Sequence, residues 1–237
     1  MLAVFINAVA VLIGGLAGTL FGNRINEKYT KGIMVAISLV TFGIGIQSVL
    51  ATENILIVVL CIVLGTILGT ALKLDDRINS AADRVKARLS GTKLGQGRFS
   101  EAFVTTSILF CVGTMTVLGS IRAGLSKDYS ILLTKSVMDL FSALAFSAAL
   151  GPGVLFSAGT VIVIQGAIIL LAGVAAPLLS ERVVAEMTAV GGLLFIGMAI
   201  NLLGLREEKI KVGDMLPGIF LPILYFPLAE LIGKLFA

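Results

Sequence analysis

Residues 54–72, NILIVVLCIVLGTILGTAL, run for nineteen residues without a charge. At about 1.5 Å of rise per residue, a helix of that length crosses a bilayer hydrocarbon core about 30 Å thick. A surface helix of a soluble protein keeps a polar face on a 3.6-residue period, and this stretch has none. Just before it stands the short polar ATEN, 51–54, and just after it the polar segment 73–101. The alternation of apolar run and polar connection repeats along the chain and predicts spans at 2–21, 32–50, 54–72, 102–121, 130–150, 154–177, 183–204 and 215–236.

Composition agrees. Of 237 residues, 57% are hydrophobic and 14% charged, against roughly 25% charged in an average globular domain, and mean hydropathy is +1.06. So apolar a chain has too little polar surface to cover itself in water. The expected fold is all-α, a polytopic transmembrane bundle of about eight helices forming a single domain over 1–237. Residues 2–21 lack a basic leader and are long enough to span, so they read as a retained first helix rather than a signal peptide. The net charge of +4 is no nucleic-acid signal, because the basic residues flank apolar spans without interleaved aromatics.

Lys and Arg sort by side. Three fall in 22–31, seven in 73–101, none in 151–153 and three in 205–214, while Arg122, Lys127, Arg182 and Lys234 fall in the alternate connections or beside them. Thirteen against four places the first group in the cytoplasm and both termini outside. Within 73–101, Leu74, Ile78, Ala81, Val85 and Leu89 share one helical face, predicting an amphipathic cytoplasmic helix on or under the bundle. Gly91, Gly95 and Gly97 follow as a flexible entry to the fourth span.

Gly14, Gly18 and Gly22 in the first span, and Gly65 and Gly69 in the third, form small-residue faces that allow close helix packing or a homo-oligomer. Met34–Phe42 aligns without gaps to Met187–Phe195, with Met, Ala and Phe matched. The two segments run in opposite directions, so the match suggests an inverted repeat of helices 1–3 and 6–8.

Candidate chemistry concentrates in the fifth span. Lys135 and Asp139 are four apart, hence on one helical face, and a central charge costs roughly 2.5–3.5 kcal/mol to insert. A structural ion pair and a functional polar path both answer that cost, and the functional reading is favoured. In the fourth span, Gly113, Thr114, Thr116, Gly119 and Ser120 permit a helix break at depth; continuous tight packing with Thr bonded back to its own helix is the expected alternative. Asn7, Gln47, Gln165 and Asn201 put one neutral polar residue in each of four other spans. Glu186 and the pair Glu230/Lys234 read as interfacial, within snorkelling reach of water.

Cys61 and Cys111 sit inside apolar runs as small hydrophobes. The chain has no His and no Trp, which removes the commonest general base and metal ligand. No metal and no cofactor are implied.

The stretch from FVTTSILFCVGTMTVLGSIRAGLSKD through TKSVMDLFSALAFSAALGPGVLFSA resembles the YqgA/YdfK family of bacterial inner-membrane proteins (domain of unknown function 554), whose function is not established. The resemblance covers essentially the whole chain and rests on Leu109–Ser120, Lys127-Asp128, Lys135/Asp139, Phe156–Ala158, and the region of Asn201 and Pro217. Thr114 stands where the family pattern has Pro, Ala123 where an acid is usual, and Leu140 where Gly often follows the Asp. The missing Pro weakens the argument for a fixed break, and the missing acid leaves Arg122 without its expected partner. Membership implies a transporter-like body and names no substrate.

These readings converge on a small secondary transporter or channel for a small polar or ionic solute. Asp139 would be the coupling or gating carboxylate with Lys135 as partner, and Asn7, Gly113, Thr114, Thr116, Ser120, Gln165 and Asn201 would line the path. A non-transporting scaffold or regulatory subunit is the alternative, and an enzyme is disfavoured because no activated nucleophile is in sight.

Overall fold

The computed structural model describes residues 1–22, 27–88, 91 and 98–235, all helix or connecting turn without a strand. The long helices are α1 (Leu2–Gly22), α2 (Glu27–Val49), α3 (Ile55–Leu72), α7 (Ser130–Leu150) and α10 (Glu181–Leu203). Between and after them stand α4 (Leu74–Arg88), α5 (Phe99–Cys111), α6 (Thr114–Leu125), α8 (Ser157–Leu170), α9 (Ala172–Ala175) and α11 (Pro217–Leu235). Short 3₁₀ turns at Pro152–Phe156 and Val212–Met215 lead into α8 and α11. Seven stretches are long and apolar enough to span a membrane, and the bent pair α5–α6 makes an eighth. Leu56, Val59, Leu60, Val63 and Leu64 of α3 are exposed, an arrangement that only a lipid surround makes inexpensive.

Glycine faces decide the packing, and they point inward. A Cβ on Gly14 or Gly18 would overlap the carbonyl oxygen of Leu140 or Leu144, so α1 lies backbone to backbone along α7, both running the same way. Gly65 and Gly69 do the same for α3 against Gly218 and Asp214, and Gly45 for α2 against Gly192 of α10. With α1–α7 so closely matched, the glycine faces serve packing within the chain.

α10 is the axis of one half: its buried Val190, Leu194, Phe195 and Met198 join Ile57, Val58 and Cys61 of α3 in a single core. The other half gathers α1, α5, α7 and α8 around Val11, Phe110, Phe146 and Val161. Charged groups collect at the two ends. On the α4 side, Arg98 pairs with Glu101 and Lys211 with Asp76; at the opposite end, Arg182 pairs with Glu53. The Asp76 carboxylate beside Lys211 raises that ammonium's pKa above its ordinary 10.5.

Four details differ from the sequence expectation. The fourth span is not continuous: α5 and α6 meet at Val112–Gly113 with a 57° bend. Gly113 takes φ +128°, which a residue with a Cβ rarely adopts, so glycine supplies the break that the absent proline did not. The α8 helix ends at Leu170, and the short α9 follows it as a separate helix. The buried face of α4 is rotated: Ala82 is buried with Ile78 and Asn79 beside it, whereas Ala81 and Val85 are exposed, and Leu89, Gly95 and Gly97 lie outside the described residues. Finally, Ala36 and Phe42 are exposed where their aligned partners Ala189 and Phe195 are buried. The aligned segments thus sit in unlike surroundings, and the packing gives the inverted repeat no support.

Candidate functional site

Lys135 and Asp139 lie one turn apart on α7 and are each 6% exposed. Their side chains form an ion pair through Asp139 Oδ2. The same oxygen accepts a hydrogen bond from Asn7 Nδ2 of α1 at 3.0 Å. The glycine contact between α1 and α7 makes this possible, since only a close backbone approach lets so short a side chain as Asn7 reach across. The Lys135 ammonium also stands 5.8 Å from the centre of the Phe110 ring at the end of α5, a separation that gains cation–π attraction. Asp139 Oδ1 receives no hydrogen bond from a described residue, and Lys135 has N–H groups left over.

Among the described residues, four side-chain polar atoms are fully buried without a partner: Asn7 Oδ1, Ser120 Oγ, and both Oε1 and Nε2 of Gln165. Buried polar groups normally find partners, and each one that does not is destabilising by about 1–3 kcal/mol. The packing register gathers them. Gly124 of α6 abuts Ile169 and Ala172 of the parallel α8, so one turn back Ser120 is level with Gln165. Gly119 abuts Ile131 and Leu132 of the antiparallel α7, so Thr116, one turn earlier, is level with Lys135. Ala3 of α1 clusters with Ala123, Leu132 and Ile169, one turn above Asn7. Polar residues of α1, α6, α7 and α8 therefore fall at neighbouring levels of the bundle.

The α5–α6 break borders that region. Thr116 Oγ1 does not bond back to its own helix turn but donates to the Phe110 carbonyl at 3.1 Å, across the break. That hydroxyl replaces one hydrogen bond lost at the end of α5. Cys111, next to the break, lies within electrostatic reach of both Lys135 and Asp139. Thr114 opens α6 immediately after Gly113. Such a helix interruption places backbone polar groups at membrane depth, which is tolerated where they face protein or a polar cavity.

Asn201 is elsewhere. It stands near the α4-side end of α10, and its amide is fully engaged with Ile210: Nδ2 donates to the carbonyl and Oδ1 accepts from the N–H, each at 2.8 Å. There it ties down the connection that follows α10. Gln47, near the opposite end of α2, is exposed. Glu186 is not interfacial but fully buried, and the α2–α3 turn surrounds it. Thr52 Oγ1 donates to it at 2.6 Å, the Glu53 N–H at 3.1 Å and the Asn54 N–H at 3.3 Å. The side chains of Glu230 and Lys234 lie outside the described residues.

Sequence reading missed Phe110 and the buried Asp214. The Asp214 carboxylate accepts from the Asp75 N–H at 2.9 Å while Asp75 accepts from the Gly213 N–H at 2.8 Å, a reciprocal clasp that docks the start of α4. The polar turn REEKIKVGD hides this role, because only the folded chain shows that Asp214 meets a helix N-terminus.

The fold and this central cluster define a polytopic α-helical membrane protein with a charged, incompletely satisfied interior. By sequence, the chain belongs to the family described as "Protein of unknown function (DUF554)", whose model matches residues 2–226. It is 32% identical over 219 residues to "Uncharacterized protein YqgA" of Escherichia coli (strain K12), covering 92% of each chain. It is 25% identical over 228 residues to "Uncharacterized membrane protein YdfK" of Bacillus subtilis (strain 168), covering 94% of each. No solved structure matches it.

Proposed function

We propose that this chain is a small secondary transporter or channel for a small polar or ionic solute, with Asp139 as the coupling or gating carboxylate and Lys135 as its partner. One observation carries the reading: a buried ion pair bonded to Asn7 beside a helix break, with unpartnered polar atoms of Asn7, Ser120 and Gln165 at neighbouring levels of the bundle. A purely structural ion pair needs no such surroundings, since unsatisfied groups only weaken a bundle. A solute or water path does need them, because polar atoms must stay available to whatever passes. The lack of any His in the sequence favours transport over catalysis. The scaffold reading rested on glycine faces free for a partner, and those faces are occupied within the chain.

The thirteen-to-four charge split supports an orientation with the α4 side in the cytoplasm of a bacterial inner membrane and both termini outside. Reporter fusions at Ser90 and Leu235 test that arrangement: activity of a cytoplasmic reporter at Leu235 would reverse it. Transport itself is tested by reconstituting the protein in liposomes on a solid-supported membrane and screening protons, alkali cations, halides and small organic ions for capacitive currents. A current in the wild type that disappears in Asp139→Asn is expected. Currents of equal size in both proteins would overturn the role of Asp139.

A further inference from the structure

A groove of about 470 Å³ follows the broken α5–α6 span between α8 and α11. It runs from Ile78 of α4 to Leu179, and Ile164, Ala167, Ile219 and Ile223 form its walls. Phe220, 57% exposed, stands at its lip. Its hydroxyls are already engaged: Ser107 and Thr160 bond one another at 3.1 Å, and Thr188 bonds to the Val184 carbonyl. The groove therefore offers mainly hydrocarbon contact.

At the α4 end it adjoins a second cavity, of about 440 Å³, with Val104 lining both. This one is charged. Its carboxylates are held: Asp83 accepts from Ser100, Asp75 from the Gly213 N–H and Asn79, and Glu101 binds both Arg98 and Lys209. Lys86 has no partner among the described residues, and Arg98 and Lys209 share a single carboxylate. With three carboxylates and three cations in its lining the mouth carries no net charge, and Lys86, the cation without a carboxylate, is the group left to meet an anionic oxygen. An apolar slot beside a charged mouth matches an amphiphile.

We propose that the two adjoining cavities bind one phospholipid from the leaflet on the α4 side. Lys86, Arg98 and Lys209 hold its phosphate, and one acyl chain lies along α5 as far as Gly113. This site stands independently of the transport reading. It has one consequence for it: Cys111 lines the groove and also lies within electrostatic reach of Lys135 and Asp139. The end of the acyl chain thus abuts the break.

The chain has no Trp, so a single introduced Trp reports one location. Phe220→Trp places it at the groove, and Phe21→Trp, at a residue 60% exposed near the same end of α1, is the control. Detergent-purified protein is titrated with a phospholipid carrying brominated acyl chains. Quenching at Phe220→Trp should saturate near one lipid per protein, while quenching at Phe21→Trp rises only in proportion to lipid. Adding Lys86→Gln and Lys209→Gln should raise the half-saturation point roughly tenfold, the size expected for lost charge-assisted bonds. Like profiles at the two Trp positions would overturn the site, and equal saturation by brominated diacylglycerol would overturn the phosphate mouth. Native mass spectrometry of the unaltered protein checks the same claim without any variant: absence of a one-phospholipid adduct after gentle detergent exchange would refute it.

Discussion

Asp139 and Glu186 are both buried carboxylates in long apolar helices, yet they are treated in opposite ways. Glu186 accepts three hydrogen bonds from the α2–α3 turn, two of them from backbone N–H groups ahead of α3. It lies at the positive end of that helix, where an anion is favoured. Asp139 has a cation and one amide on a single oxygen, and that amide's own oxygen is unpartnered, as are Ser120 of α6 and Gln165 of α8. The same contrast separates Asn201, both ends of its amide bonded to Ile210, from Gln165, neither end bonded. Burial of a polar group is thus a poor mark of function in this bundle. Incomplete satisfaction is the better one, and it concentrates among α1, α6, α7 and α8.

The largest effect should come from the contact that builds the cluster. Gly18→Leu forces a side chain into the Leu144 carbonyl and parts α1 from α7. Loss of folded monomer on size-exclusion chromatography is expected; wild-type yield and melting would mean that the α1–α7 approach is not needed to bring Asn7 to Asp139.

Next come the single charge removals. Lys135→Met and Asp139→Asn should each destabilise by about 3–5 kcal/mol, because each strands the other charge. The double variant should regain stability and yet give no current. A stable double variant with wild-type current would make the pair structural, like Glu186. For Glu186 itself, Glu186→Leu should cost about 1–3 kcal/mol for the N–H groups it leaves unsatisfied, with transport per folded molecule unchanged.

A smaller difference separates the two amides. Gln165→Leu removes two unsatisfied atoms and should leave the melting temperature level or raised while abolishing current. Asn201→Leu orphans the Ile210 backbone and should lower it, with a cost of about 1–3 kcal/mol. If both variants melt alike, the proposed contrast between satisfied and unsatisfied polar groups fails.

The spans were legible because lipid demands long uninterrupted apolar runs, and 54–72 or 130–150 admit no other reading. Helical periodicity also put Lys135 and Asp139 on one face. Three things were not legible. The glycines of the fourth span permitted a break, but that Gly113 takes φ +128° while Gly119 stays helical shows only in the folded chain. Glu186 looked interfacial because its position near a span end says nothing about the turn that folds over it. Asn201 resembled Gln165 in sequence, both lone amides in apolar helices, and only the register of neighbouring chain showed that one meets backbone and the other does not.

The smallest effect lies at the mouth of the helix that carries the ion pair, outside the apolar span. Asp128 Oδ1 accepts from the Ser130 N–H at 3.0 Å and the Ser130 hydroxyl at 2.7 Å, so it caps the start of α7. Those two bonds hold its carboxyl below the usual 3.8. A carboxylate whose pKa falls on folding stabilises the fold above its unfolded pKa, and that contribution is lost as pH drops through the folded value. Asp128→Ala should therefore melt slightly below wild type at pH 6, and the gap should close in acid below that folded value. Water and salt screen this exposed group, so the gap is small. A gap between wild type and Asp128→Ala that persists unchanged into strong acid would mean that Asp128 supports α7 by packing rather than by charge.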